Sequence, residues 1–169
     1  MDLEIRNFYE DRISRGYSKE SVMESIYQRG RDNARTPMQW SGEPNGGFTS
    51  GIPWLPVNPN YREINGEAEM SDPDSVFHYY QELIRLRKSY DVIPFGSFSL
   101  LDPENESVFA YERVLAGEHL LVVCNFTGRE ISWQVPETYR TARQLIGNCP
   151  ESKTDLLQPF EAKMLYFKE

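Results

Sequence analysis

The sequence predicts an α+β fold in which three helices precede an antiparallel β domain. Apolar residues recur at helical spacing in three segments before residue 91, and after it they alternate in short runs separated by turn residues. Such runs, with no helical pattern between them, are typical of an antiparallel sandwich or a partial barrel. The change of period divides the chain into predicted domains at 1–91 and 92–169.

Two short helices are expected at about 2–15 and 18–30. Gly16 stops the apolar pattern of the first, and Ser18 is a favourable N-cap for the second. Because isolated helices of this length are marginal in water, both need a packing partner.

The third helix, predicted at 73–90, has the clearest pattern. Asp72 is a favourable N-cap, Pro73 suits the first helical position, and basic residues near the other end complement the helix dipole. A continuous apolar stripe wide enough to bury against a sheet runs along it. The stripe comprises Val76, Phe77, Tyr80, Leu83 and Ile84.

A long loop rich in glycine and proline is predicted at 31–70. A loop of this length in a compact domain is usually functional or disordered. Its apolar residues, among them Trp40 and Trp54, argue against disorder. The loop is therefore expected either to rest on a core or to line a site.

Six strands are predicted in the β domain. Each is rich in β-branched, aromatic or aliphatic residues, and turn compositions separate them. They span 97–101, 107–114, 119–126, 130–135, 141–146 and 160–167.

Composition and charge exclude several classes of protein. The net charge is -8 and no basic cluster stands apart from it, so no nucleic-acid partner is expected. No apolar run is long enough for a membrane helix, and no apolar segment of a secretion signal follows Met1. A cytoplasmic location without a membrane partner is expected, with Cys124 and Cys149 as free thiols.

Few residues have the spacing that catalysis or metal binding requires. His78 lies within the third predicted helix and His119 opens a strand, and both are interpreted as structural. No metal-ligand spacing, nucleophile elbow or phosphate-binding loop occurs in the sequence. The expectation is therefore no catalytic residue, no metal and no cofactor.

The exception is the segment at 31–40, RDNARTPMQW. Two arginines, an aspartate and an amide lie within five residues, shortly before Trp40. Arginine can donate several hydrogen bonds to hydroxyls, and tryptophan offers a face on which a sugar ring stacks. The alternative interpretation is an internal arginine–aspartate pair that only anchors the loop.

This segment, followed by NGGFT at 45–49, GIPW at 51–54 and VNPNY at 57–61, resembles the α-glucosidase branch of glycoside hydrolase family 13. That branch includes oligo-1,6-glucosidases, dextran glucosidases and trehalose-6-phosphate hydrolases. The resemblance extends over essentially the whole chain. It implies the end of a (β/α)8 barrel, here helices and a loop, followed by a C-terminal antiparallel β-sandwich domain.

The family's catalytic nucleophile, acid/base and third carboxylate lie upstream of every segment that is matched. A retaining glycosidase needs two carboxylates about 5 Å apart, so the chain is expected to be inactive alone. By the same resemblance, Arg31 matches the arginine that binds a hydroxyl of the terminal glucose in the complete barrel. Asp32, Arg35 and Trp40 are expected to support the loop.

The resemblance implies a C-terminal fragment of a cytoplasmic α-glucosidase. Its substrate would be an α-linked gluco-oligosaccharide, with α-1,6 linkages favoured, bound only by the full-length enzyme. The alternative is a non-catalytic carbohydrate-binding or scaffold module. The apolar face of the helix at 73–90 would lack the barrel strands that cover it. Either the three predicted helices fold back on one another or two chains meet through these faces, and self-association is favoured.

Overall fold

The computed structural model describes residues 2–169. The chain divides into two compact units, one ending at Tyr79 and the other spanning Tyr80–Glu169. The division falls inside the helix at Val76–Ser89, because Leu86 in the second half of this helix packs with residues of the β-sheet. The domain boundary between 91 and 92 stays a prediction.

The first unit contains helices α1 (Leu3–Ser14) and α2 (Lys19–Arg29). Their predicted bounds are confirmed to within one residue at each end. The side chain of Asp2 caps α1, and the hydroxyl of Ser18 caps α2.

The segment predicted as a continuous loop at 31–70 contains short elements. Helix α3 (Gly66–Ser71) begins inside it because the side chain of Asn65 accepts the amide of Ala68 and closes the first turn. Two 3-10 turns precede α3, namely η1 (Arg31–Ala34) and η2 (Pro59–Arg62). Between them, Pro44–Gly47 forms a turn in which Asn45 and Gly46 have positive φ.

The next helix, α4, begins later than predicted. It spans Val76–Ser89, whereas the sequence indicated 73–90. Asp72 is not its N-cap, since Asp72 ends α3 and its carboxylate accepts the amide of Asp74, before α4 begins. The hydroxyl of Ser75 instead accepts the amide of His78 and sets the start of α4.

The apolar stripe predicted on this helix is mostly exposed, and a neighbouring face of α4 is buried instead. Leu86, outside the stripe, is 1% exposed and packs with Val92 and Leu120, and Leu83 packs against this cluster. The stripe is thus largely uncovered within residues 2–169, as the sequence indicated for a helix without its barrel strands, and self-association through it stays a prediction. The exposed residues, named the α4 stripe below, are Val76, Phe77, Tyr80 and Ile84.

After a short helix α5 (Val92–Phe95), the described part of the second unit forms seven antiparallel strands in two sheets. The larger sheet has the order β1-β2-β3-β7-β5, and β4 pairs with β6. All six predicted strands are present, and the two-residue β6 was not predicted. The strands are β1 (Ser97–Leu101), β2 (Val108–Leu115), β3 (Glu118–Asn125), β4 (Ile131–Ser132), β5 (Arg143–Gly147), β6 (Leu156–Leu157) and β7 (Ala162–Lys168).

A core between the two sheets makes this unit a sandwich. Alternate residues of the larger sheet, such as Leu121 and Val123, pack against Trp133 and Val135. These two residues lie in the predicted strand at 130–135 but follow the short β4, and the amide of Val135 donates to the side chain of Asp155 instead of a strand partner. The predicted α+β class is confirmed.

An ion pair is buried where the irregular segment at 148–160 meets β7. Glu161 is 1% exposed and Lys163 is 3% exposed, and Lys163 Nζ lies 3.4 Å from Glu161 Oε1. The hydroxyl of Ser152 donates to Glu161 and accepts from Lys163, which also donates to the carbonyl of Lys153. The pair therefore fixes a segment that has little regular structure of its own.

Replacing Lys163 by Met should leave the carboxylate of Glu161 buried without its ion partner. We expect the free energy of unfolding in urea to fall by about 3–5 kcal/mol. The matched control is Lys168→Met in the same strand, whose exposed pair with Glu118 should be worth about 0–1 kcal/mol. Equal losses in the two variants would show that the buried pair does not hold the segment.

The exposed α4 stripe should make the chain self-associate at micromolar concentration, since exposed apolar patches are interaction surfaces. Tyr80→Glu should shift sedimentation equilibrium toward the monomer, because it places a charge on the stripe. Gln81→Glu, also exposed but beside the stripe, is the control with the same charge change. A chain that is monomeric at every concentration would contradict self-association.

Candidate functional site

The arginine-rich segment begins where α2 ends. Gly30 closes α2, and η1 follows at once. A Cβ atom at Gly30 would lie 2.6 Å from the carbonyl oxygen of Ile26 and 3.2 Å from Cδ1 of Ile5 in α1. Glycine therefore permits the close approach of α1 that brings its first residues beside η1.

The carboxylate of Asp2 holds both arginines of the segment. Its Oδ2 lies 3.1 Å from Arg31 Nε and 2.8 Å from Arg35 Nη1, and Arg31 Nη2 donates to Oδ1 at 3.3 Å. The backbone amide of Asp2 donates to Asp32 Oδ2 at 2.8 Å. The side chain of Asp2 is 6% exposed. One side chain at the start of α1 thus brings Arg31, Asp32 and Arg35 together.

The arginine cluster consists of Asp2, Glu4, Arg31, Asp32 and Arg35. Its electrostatics keep Asp2 ionised. The pKa of Asp2 is lowered, chiefly because the amide of Glu4 donates to the carboxylate, and Arg31 and Arg35 add to the effect. The pKa of Arg31 is raised, chiefly by its hydrogen bond to Asp2. A carboxylate in this state accepts hydrogen bonds and is unsuited to donate a proton near neutral pH.

Arg31 also contacts a second acid and has one nitrogen without a partner in the described part of the chain. Its Nη2 lies 2.7 Å from Glu4 Oε2, whereas Nη1 has no partner among residues 2–169. The side chain of Arg31 is 52% exposed. Beside it lies a groove of about 280 Å³ between α1 and α2, with Ile5 and Phe8 in its walls. Arg31 can therefore donate a hydrogen bond to a hydroxyl from the polar end of a partly apolar groove.

Trp40 belongs to a different set of contacts. Its amide donates to the carbonyl of Gly46 at 2.7 Å, and its carbonyl accepts from the amide of Glu67 at 3.0 Å. Gly46 has a φ of +64°, which glycine adopts without strain. The indole is 57% exposed. Trp40 therefore anchors the loop through its backbone, and a role for its indole stays a prediction.

Three of the four predicted site residues thus lie together, and two acids beside them were not predicted. Asp2 and Glu4 were missed because acids at the start of a helix are ordinary capping residues in a sequence. Their pairing with a segment 29 residues away depends on how α1 and α2 pack. Sugar binding by Arg31 and the lack of catalytic residues stay predictions.

The two histidines have other surroundings. His119 stacks on Phe167 with ring centres 4.6 Å apart, and Nε2 of His78 lies 3.1 Å from the carbonyl of Met70.

Among residues 2–169, no group of three His, Cys, Asp or Glu side chains could hold a metal ion. The same range has no helix long and apolar enough to cross a membrane.

Two protein families match the chain in succession. Residues 6–96 match the α-amylase catalytic domain, and residues 98–161 match the C-terminal domain of maltogenic amylase. The chain belongs to the α-amylase family, glycoside hydrolase family 13. Its helical part therefore corresponds to part of the catalytic barrel, and its sandwich to the C-terminal β domain.

Among characterised relatives, the chain is similar to α-glucosidases. It is 44% identical to an oligo-1,6-glucosidase of Parageobacillus thermoglucosidasius, an alignment that covers 96% of this chain and 30% of that protein. It is 42% identical to a trehalose-6-phosphate hydrolase of Bacillus subtilis (strain 168), covering 81% and 24%. The chain thus spans about a third or less of the length of these relatives.

Solved structures agree with this placement. The chain superposes on a trehalose-6-phosphate hydrolase of Bacillus licheniformis with a TM-score of 0.93 and 36% identity, over 100% of this chain and 32% of that one. It superposes on a trehalulose synthase with a TM-score of 0.91 and 38% identity, over 98% and 31%. The fold described above is therefore the family's own.

Gly30→Ala should loosen the packing of α1 on α2, because the added methyl would meet backbone and Ile5. We expect the free energy of opening of α1 and α2, measured by hydrogen exchange of the amides in 3–29, to fall by about 1–3 kcal/mol. Gly42→Ala is the control, since the nearest atom to its Cβ would be 3.7 Å away. Unchanged exchange in Gly30→Ala would show that α1 does not lie where the structure places it.

Proposed function

We propose that the chain is the C-terminal part of a cytoplasmic α-glucosidase that hydrolyses α-linked gluco-oligosaccharides, with α-1,6 linkages favoured. The observation that carries this is the half-exposed Arg31, held by two acids and with Nη1 available to a ligand. A fixed guanidinium donates well to the hydroxyl of a sugar. The names of the oligo-1,6-glucosidase relatives support this class of substrate.

The charges of the arginine cluster favour a neutral sugar over a phosphorylated one. Arg31 and Arg35 are balanced by Asp2 and Glu4, and Asp32 lies 3.7 Å from Arg35. No net positive charge remains in this cluster to attract a phosphate. This supports an unphosphorylated oligosaccharide as the substrate.

Catalysis itself is proposed to need groups outside this chain. A retaining glycosidase uses one carboxylate as nucleophile and a protonated one as acid. The lowered pKa of Asp2 disfavours the acid role, and both oxygens of its carboxylate already accept hydrogen bonds within the protein. The chain alone is therefore proposed to be inactive, and its sugar-binding arginine to act only within a complete barrel.

A cytoplasmic location is part of the same proposal. Cys124 and Cys149 are both free thiols, which supports a reducing compartment. Burial raises the pKa of both thiols and so lowers their reactivity.

The test joins this chain to the upstream part of the Parageobacillus thermoglucosidasius oligo-1,6-glucosidase. The fusion should hydrolyse isomaltose, and the chain alone should not. The control fusion carries the relative's own C-terminal part at the same junction. Hydrolysis by the chain alone that survives repeated purification would contradict the proposal. A fusion that folds but is inactive, while the control fusion is active, would also contradict the proposal.

An exposed aromatic cluster favours a second candidate, a carbohydrate-binding module without catalysis. Phe98 is 56% exposed, and its ring centre lies 5.2 Å from that of Tyr111, which lies 5.6 Å from that of Phe109. Aromatic faces of this kind can stack on sugar rings. Calorimetry of the chain alone with isomaltose decides between the candidates. Binding that Phe98→Ala abolishes would favour the module, and no binding would favour the α-glucosidase.

A further inference from the structure

Asp2 contacts Arg31 in a way that selects one edge of the guanidinium. Nε and Nη2 of Arg31 both face the carboxylate, at 3.1 Å from Oδ2 and 3.3 Å from Oδ1. A side-on pair with two contacts fixes the plane of the guanidinium as well as its position. Nη2 also lies 2.7 Å from Glu4. Two of the three nitrogens are thus occupied within the protein.

The carboxylate of Asp2 is itself held in place. Its Oδ1 accepts the amide of Glu4 at 2.9 Å, and its Oδ2 accepts from Arg35 at 2.8 Å. Its backbone amide donates to Asp32, so the main chain on the other side of the residue is tied as well. With its side chain 6% exposed, Asp2 has little freedom to release Arg31.

We propose that Asp2 is a positioning residue for ligand binding, which turns Arg31 so that Nη1 is the nitrogen presented to a sugar hydroxyl. This inference rests on the proposed function, in which Arg31 binds the sugar. It assigns a separate role to each of these groups in the arginine cluster. Arg35 and the Glu4 amide fix Asp2, Asp2 fixes the plane of Arg31, and Nη1 meets the ligand.

Asp2→Asn separates this role from helix capping. Asparagine caps a helix about as well as aspartate, so α1 should keep its N-cap. The amide group has one acceptor oxygen instead of two and carries no charge, so it cannot hold Arg31 side-on. Asp11→Asn is the matched control, because it removes one exposed carboxylate of α1 that pairs with Arg15.

The first test uses the chain itself and is read by ¹⁵N nuclear magnetic resonance of the arginine side chains. In Asp2→Asn the Nε–H signals of Arg31 should shift and exchange faster with solvent, and in Asp11→Asn they should stay in place. An Arg31 signal unaffected by Asp2→Asn would overturn the inference, whatever the activity of any fusion.

The second test measures isomaltose hydrolysis by the fusion described above. Asp2→Asn should lower kcat/KM on the order of 10- to 100-fold, mainly through KM, with the melting temperature changed no more than by Asp11→Asn. Arg31→Lys serves as the reference for the sugar contact. If Arg31→Lys lowers kcat/KM and Asp2→Asn does not, the positioning role is refuted and the proposed function stands. A harmless Arg31→Lys would refute the sugar-binding role itself.

Discussion

In the first unit, the packing of α1 depends on one constraint. The positive charges of two guanidiniums beside the start of α1 must be neutralised. Asp2 meets this need with one nearly buried carboxylate, and in doing so it ties α1 to the segment that follows α2. Gly30 permits the contact, because any side chain there would collide with α2 and with Ile5. The orientation of Arg31, and with it the sugar-binding proposal, follows from this combination of charge and close packing.

The second unit is held together differently. Apolar residues of two sheets form its core, and its less regular segment is fixed by the buried pair of Glu161 and Lys163. Desolvating two charges is costly, so such a pair stabilises only when every partner is in place. The two groups therefore differ. Nη1 of Arg31 has no partner among residues 2–169, whereas Glu161 and Lys163 have their hydrogen bonds satisfied.

Much of the fold was predictable because periodicity and turn residues determine it locally. The strands and the first two helices follow from such patterns. The start of α4 did not, since aspartate and serine are both favourable N-caps in a sequence, and only the structure shows that Ser75 and not Asp72 caps this helix. Likewise the segment at 31–35 marked the site, but Asp2 and Glu4 could be found only once packing brought distant parts of the chain together. The α4 stripe shows the same limit, because its pattern says that a face is apolar and not what covers it.

The strand order of the larger sheet bears on how the protein is made. Strand β7 lies between β3 and β5, although it is synthesised after both. Until the ribosome has released it, β3 has an unpaired edge and β5 has no neighbour in the sheet. Domains generally form as their residues emerge, and open strand edges invite wrong pairing. The sandwich should therefore complete its folding only after β7 has left the exit tunnel, and a nascent chain stalled before Ala162 would be open to aggregation.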